Sequence, residues 1–390
     1  MKSPASTAQT NTSFSPIIHG ALVATDVLGR VPWWLLLPLW AGIVVAAAWP
    51  WDVLRGPAVL LGGIMLAGDA AMLALLPHYQ RSWGPVTPPL LGLALLRAAL
   101  TASGGWLSAS PGSLLIVTCL HAGLTGTALY ATWIEPFRVT VTRQHAPVLP
   151  AGSATLRVLH LSDLHFEGYS PREHALLDAV TALQPDLILL TGDYLNLSSV
   201  HDPQAQAGAR ALLAQLDAPL GIYAVTGSPV VDADDVVPRI FADLDIHWLD
   251  DAAVAITPEL WLLGARCTYT PSRDRDAVAR LVEGLPAGAR AVLLYHTPDL
   301  MPEIVDWPIA LYLCGHTHGG QLRLPWYGAL FTSSAWGKRY EMGRYQEGRT
   351  ILYVSRGLGL EGWGAPRARF LSPPEIILWE WHAPESLPQR

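Results

Sequence analysis

Four apolar stretches fill most of the first third of the chain: Val31 to Trp51, Pro57 to Pro77, Pro88 to Leu107 and Pro111 to Ile134. Each is close to the ~20 residues that a helix needs to cross a bilayer. Trp33, Trp34, Trp49, Trp51, Trp106 and Trp133 sit near their ends, as an interfacial aromatic belt requires. Charged residues make up only 15% of the chain and the mean hydropathy is +0.29, values that these stretches dominate. The sequence therefore predicts four transmembrane helices over 31–134, with the lipid bilayer as a partner. The soluble alternative is an unusually apolar helical core. Ahead of them, residues 1–30 are rich in Ser, Thr and Ala and read as a flexible N-terminal tail rather than a signal peptide.

With four spans, the tail, the loop between spans two and three, and everything after span four share one side. That side carries Lys2, Arg30, Arg81, Arg138 and Arg143, and the other only Arg55. The positive-inside rule makes the protein multi-pass with its C-terminal domain cytoplasmic. Two charges lie inside the spans, where charge is costly. At 1.5 Å per residue, Asp69 and Arg97 sit at about 12 to 14 Å from the same membrane face. A pair across a helical hairpin is one reading, and a snorkelling Arg97 with a protonated Asp69 is the other.

Residues 135–153 hold three prolines and no long apolar run, and are expected to be a linker. The domain that follows, 154–382, alternates short apolar runs with amphipathic stretches, the pattern of an α/β domain. Leu156 to Leu161, Leu187 to Leu190, Gly221 to Val225, Ala291 to Tyr295 and Ile309 to Leu313 read as strands, and so does each of Asp245 to Ile256 and Leu260 to Leu263. Two more strands are expected within Gly343 to Leu358, joined at Gly348, and a closing one at Glu375 to Trp381. Ser170-Pro171-Arg172-Glu173 has the form of a helix start, with a Ser cap, Pro at the first position and Glu three after the cap.

The first 150 residues carry 7 Lys+Arg against 4 Asp+Glu, and the remainder 18 against 28. Charges of +3 and −10 argue against a nucleic-acid groove, which needs a basic surface. Cys119, Cys267 and Cys314 are too few and scattered for a disulfide framework or zinc knuckle.

Chemistry gathers just past the C-terminal ends of the strands. Asp163, His165, Asp193, His296, and the pair His316 and His318 in Gly315-His316-Thr317-His318-Gly319-Gly320-Gln321 all lie there, at the sheet edge where open α/β sheets bind ligands. Carboxylate oxygen and imidazole nitrogen without thiolate suit Mn²⁺, Fe or Zn²⁺ rather than Ca²⁺ or a structural zinc. Six such ligands can hold two divalent ions if one carboxylate bridges them. Two metals at about 3.5 to 4 Å activate a bridging water for in-line attack on phosphorus.

Asp163-Leu164-His165, Gly192-Asp193, His296 and the Gly315 to Gln321 motif, followed by Ser355-Arg356-Gly357-Leu358-Gly359 and Pro374-Glu375-Ile376, resemble the calcineurin-like metallophosphoesterases, in particular their membrane-associated branch. The resemblance covers about residues 155 to 380. It implies a four-layer αββα sandwich, here preceded by the four-helix transmembrane region. It also implies a first metal on Asp163, His165, Asp193 and His318, and a second on Asp193, His296 and His316. Asp193 would bridge, a water between the ions would be the nucleophile, and Arg356 is a candidate phosphate contact. The implied activity is hydrolysis of a phosphomonoester, phosphodiester or pyrophosphate, with a lipid-linked one suggested by the anchor.

One motif departs. The family has Gly-Asn-His where this chain has Gly227-Ser228-Pro229, so the second site lacks its Asn and the reaction its His. Ser228 offers a weak hydroxyl ligand and Pro229 nothing. Asp232, Asp234 and Asp235 are candidates to replace a ligand or, on the preferred reading, to cap the next helix. The alternative function is a catalytically weak or silent membrane sensor or scaffold.

Overall fold

The computed structural model describes residues 25–384, so residues 1–24 of the expected tail lie outside the described residues. Residues 25–29 are helical, with Arg30 paired to Asp26 at 2.7 Å.

The apolar third folds into helices α1 (Leu37–Ala48), α2 (Arg55–Ala74), α3 (Thr87–Leu107) and α4 (Pro111–Leu129). Among the described residues, three helices rather than four are long and apolar enough to cross a membrane: Trp33–Ala74, Thr87–Leu107 and Pro111–Phe137. The difference arises in the first, which runs for 42 residues because α1 and α2 are joined through the 3₁₀ turn Trp49–Leu54. Asp52 within that turn is non-helical, with φ 46 and ψ −114, and α1 packs against both α2 and α3. Trp51, expected at an interface, is instead fully buried: its Nε1 donates to Thr101 O at 2.9 Å and Gly105 leaves room for the ring. Trp133 is likewise turned inward, donating to Met72 O at 3.0 Å, whereas Trp34, Trp49 and Trp106 are exposed.

The two charges within the apolar helices do meet. Arg97 grips Asp69 with two hydrogen bonds, Nε to Oδ2 at 2.6 Å and Nη2 to Oδ1 at 2.7 Å, and both residues are buried. Arg97 also donates to Thr125 Oγ1 at 2.8 Å and His121 O at 3.2 Å, and the His121 ring meets Thr101 Oγ1 at 3.0 Å. The bidentate fork is what holds an Arg charge in a helix bundle.

In chain order the strands are β1 (Thr140–Ala146), β2 (Leu156–Leu161), β3 (Leu187–Leu190), β4 (Ile222–Ala224), β5 (Ile246–Trp248), β6 (Ala252–Ala255) and β7 (Leu260–Gly264). They continue with β8 (Arg290–Leu294), β9 (Ile309–Cys314), β10 (Arg323–Leu324), β11 (Gly328–Ala329), β12 (Gly343–Glu347), β13 (Thr350–Val354) and β14 (Glu375–Trp381). Two six-stranded mixed sheets result, in the orders β1-β14-β2-β3-β4-β5 and β12-β13-β9-β8-β7-β6, with β10 and β11 as a separate hairpin.

Alternation along each strand explains the near-continuous apolar runs, since both faces are buried. Leu187 and Leu189 join Leu262, Val292 and Leu311 of the other sheet in one cluster, while Ile188 and Leu190 face Leu176, Val180 and Leu212. The latter come from α5 (Pro171–Leu183) and α6 (Pro203–Leu213). The α5 capping box forms as expected: Glu173 Oε2 accepts from Ser170 N at 2.8 Å, and Ser170 Oγ from Arg172 N at 3.2 Å.

Two expectations need correction. Residues 135–153 are not only a linker, because β1 within them pairs in parallel with β14, Thr140 opposite Glu375. Asp245 to Ile256 is not one strand: it breaks at Asp251 (φ 49), leaving β5 in the first sheet and β6 in the second.

Candidate metal centre

The strand ends converge. Asp163 and His165 follow β2, Asp193 follows β3, His296 follows β8, and His316 and His318 follow β9; all six are buried. Their loops are knitted by backbone bonds, Asp163 N to Gly192 O at 2.9 Å, His165 N to Asp193 O at 3.0 Å and Gly315 N to His296 O at 2.8 Å. Gly315 is required by this crowding, since a Cβ there would run into the Asp163 carboxylate and the Ser162 hydroxyl.

Two triads emerge, Asp163 with His165 and His318, and Asp193 with His296 and His316, and within each the ligand atoms lie within 4.8 Å of one another. Asp193 stands between them: its Oδ2 is 3.5 Å from His165 Nε2 and 3.3 Å from His296 Nε2. Across the first triad, His165 Nε2 and His318 Nε2 are 3.0 Å apart and His318 Nε2 is 3.6 Å from Asp163 Oδ1. His296 Nδ1 donates to Thr191 O at 2.8 Å and His165 Nδ1 to Leu195 O at 3.3 Å, which leaves each Nε2 lone pair facing inward.

Backbone strain marks the same residues. Asp163, His165, Asp193, His316 and His318 all have φ between 41° and 70°. That region costs L residues about 1–3 kcal/mol each and is held only where the surroundings impose it. Electrostatics point the same way. Burial opposes charge on Asp193, but His296, His165 and His316 hold its carboxyl well below the usual range. Burial lowers His296 while Asp193 and Asp163 carry it up to about 10, and burial and then His296 push His316 down to about 3. The pocket draws in positive charge, and its oxygen and nitrogen donors fit divalent ions of the Mn, Fe or Zn type.

Ser228 sits against the second triad. Its hydroxyl lies 3.2 Å from Asp193 Oδ2 and 3.3 Å from His296 Nε2, and its N–H donates to Asp193 Oδ1 at 2.6 Å. The Tyr269 hydroxyl, a group sequence reasoning missed, donates to Ser228 Oγ at 2.6 Å in the same cavity. The acidic run after Pro229 neither caps a helix nor supplies a ligand. Helix Val237–Phe241 has no side-chain cap, Asp234 pairs with Arg266 at 2.6 Å, and Asp235 with Arg239 at 3.4 Å. Asp232 is a buried clamp, accepting from Asp193 N at 2.7 Å, Gly227 N at 2.6 Å and Tyr194 N at 3.0 Å. Burial and the Asp193 charge push its carboxyl up to about 7 against those donors.

The Arg356 guanidinium is engaged by Glu375 at 3.1 Å and Thr140 Oγ1 at 3.1 Å, and does not line the cavity. The arginine beside the ligands is Arg369, whose Nη2 lies 3.3 Å from His318 Nδ1 and donates to Gly359 O at 2.6 Å and Arg356 O at 2.9 Å. Its loop ties the site to the end of the membrane-type helices: Arg369 N donates to Ala131 O at 2.9 Å, Ser372 N to Glu135 Oε1 at 2.5 Å, and Ser372 Oγ to His318 O at 2.8 Å.

Known proteins resemble this chain in sequence. The family profile described as Calcineurin-like phosphoesterase matches residues 156–228, ending at Ser228. Phosphodiesterase YaeI of Escherichia coli is 30% identical over 255 residues, 59% of this chain and 85% of that protein. The uncharacterized metallophosphoesterase YkuE of Bacillus subtilis is 29% identical over 268 residues, 64% and 88% of the two chains. UDP-2,3-diacylglucosamine pyrophosphatase LpxG of Chlamydia trachomatis is 26% identical over 325 residues, 67% and 95%. Together with paired Asp/His groups at the strand ends, these similarities place the chain in the calcineurin-like phosphoesterase family, metal-dependent hydrolases of phosphoesters.

Proposed function

We propose that the protein is a membrane-anchored phosphoesterase in which Asp163, His165 and His318 hold one divalent ion, His296 and His316 hold a second, and Asp193 serves both. The observation that carries this reading is the position of Asp193 Oδ2 between His165 and His296. Bound ions of this type supply Lewis-acid charge to a phosphoryl group and an activated water. The chain's own part is to keep Asp193 anionic, to orient the imidazoles through Thr191 and Leu195, and to exclude bulk water by burial. Ser228 stands where the family has Asn, and the Tyr269 hydroxyl that donates to it is a candidate proton donor for the leaving group.

We read the two sheets and their flanking helices as an αββα sandwich, with the domain beginning at Thr140, where β1 joins the first sheet. The apolar helices serve as the anchor, the first of them kinked at Asp52, and the basic flanks Arg81, Arg138 and Arg143 favour a cytoplasmic C-terminal domain. The substrate is a phosphomonoester, phosphodiester or pyrophosphate. A second reading, a catalytically weak sensor or scaffold, is favoured by Pro229, which brings no donor.

The test is hydrolysis of bis(p-nitrophenyl) phosphate by the full chain in detergent with Mn²⁺, for wild type, Asp193→Asn and the double variant Ser228→Asn/Pro229→His. Clear wild-type turnover that Asp193→Asn abolishes supports the enzyme and sinks the scaffold. Wild-type silence that the double variant rescues does the reverse.

A further inference from the structure

The cavity that reaches Asp193, His316 and His318 has a volume of about 420 Å³. Away from those residues its wall is largely apolar, built from Val230, Leu322, Leu330, Phe331, Trp363 and Pro366. A pocket for a free sugar phosphate or nucleotide would place donors along that wall, because each polar group it strips of water needs a partner.

The outer wall belongs to the β10–β11 hairpin, whose apolar side chains also face outward. Trp326 at its tip is 105% exposed, and Leu324, Tyr327, Leu330 and Phe331 are about half exposed. The Lys338 ammonium lies 3.5 Å from the centre of the Tyr327 ring. Trp, Tyr, Leu and Phe gathered beside a cation is the composition of a segment that rests in the headgroup region of a bilayer. The hairpin is also placed for it. Arg323 N donates to Phe370 O at 3.0 Å and Phe370 N to Gln321 O at 2.8 Å, while the Phe370 ring meets Tyr130 edge-on at 6.1 Å. Tyr130 directly follows α4, so cavity, hairpin and helix end form one continuous surface.

Resting on the phosphoesterase reading, we infer that the substrate is an amphiphile whose phosphate reaches the Asp/His groups while its hydrocarbon chain lies along this apolar wall. The Trp326–Tyr327 tip sits in the bilayer interface from which the substrate is drawn. No charged side chain other than Glu361 stands on the wall beyond Asp193 and the histidines, so a chain of methylenes meets little that it must desolvate.

The full chain in amphipol, loaded with Mn²⁺, is titrated calorimetrically with inorganic phosphate and with butyl, hexyl and octyl phosphate. A half-buried chain gains about twofold in affinity per methylene, so octyl phosphate is expected to bind at least tenfold more tightly than butyl phosphate. Leu330→Asn, which makes the wall polar without adding charge, is expected to cut the octyl-to-butyl ratio to less than about threefold. Equal affinities for every chain length, with inorganic phosphate still bound, overturn the inference and leave the phosphoesterase reading intact. No binding of any phosphate, together with no hydrolysis, overturns both. In liposomes, a nitroxide on Trp326→Cys in a Cys119→Ser background is expected to be accessible to oxygen and shielded from a water-soluble nickel chelate. Free access of the chelate overturns the interfacial placement.

Discussion

Breaking the Asp69–Arg97 pair separates its two partners unequally. In Arg97→Met, Asp69 loses both of its hydrogen bonds, and no other donor to it is found among the described residues. It must then hold an unpaired charge among helices or take up a proton, and the loss is about 3–5 kcal/mol. In Asp69→Leu, Arg97 keeps Thr125 Oγ1 and His121 O as acceptors. The loss there is expected to be smaller, about 2–3 kcal/mol. In the double variant no charge remains to be solvated, and the cost returns to about 0–2 kcal/mol, because apolar replacement of a buried pair is often near neutral. The coupling between the two sites is therefore expected to be at least about 3 kcal/mol. Denaturant unfolding in mixed micelles, followed by tryptophan fluorescence, measures all four corners of the cycle. Single effects that simply add within about 0.5 kcal/mol would refute the reasoning.

Other expectations concern the C-terminal domain. Asp232→Asn offers one acceptor oxygen to three N–H donors, so the Asp193 loop loosens and Mn²⁺ affinity falls about 10–100-fold with the fold retained; an unchanged Mn²⁺ titration by electron paramagnetic resonance would contradict the clamp. Burial holds the His160 imidazole down to about 3. The unfolded chain takes up that proton near 6.5, so the group costs nothing above that pH and destabilises the fold by about 1.4 kcal/mol per unit as pH falls towards 3. His160→Gln should flatten the slope of unfolding free energy between pH 6.5 and 5, and an unaltered slope would rule burial out as its cause.

Much of the domain was legible because buried strands leave a plain signature. Leu156 to Leu161, Leu187 to Leu190 and Glu375 to Trp381 are strands with the predicted bounds. The Asp and His residues that follow strands could be read as one site because parallel neighbours, β2 with β3 and β8 with β9, put their C-terminal ends side by side, although only the fold shows that these are two sheets meeting at one place. What escaped depends on tertiary placement. β10 and β11 are two residues each and read as loop, and β1 has no apolar run to separate it from a linker. The left-handed backbone at five of the six candidate ligands has no sequence signal, since Asp and His do not announce it as Gly does. Asp232 was misjudged because helix capping was the nearer use for a carboxylate, whereas its partners lie on another strand's loop. Arg356 is the only arginine its motif singles out, and only the fold shows that Glu375 claims it while Arg369 stands beside His318. Asp69 and Arg97 were found from matching depth, and His121, ten residues into the fourth stretch, carried the same cue unread.

Two divalent ions would be held by these six residues, and the chain that holds them would hydrolyse a phosphoester. Metal content per chain, measured by mass spectrometry on the detergent-purified full chain after Mn²⁺ loading and desalting, tests it most directly. Two ions are expected in the wild type, one in His296→Ala/His316→Ala, and hydrolysis only with both. A wild type that carries one ion or none while hydrolysing bis(p-nitrophenyl) phosphate, or two ions that survive the loss of His296 and His316, would contradict it.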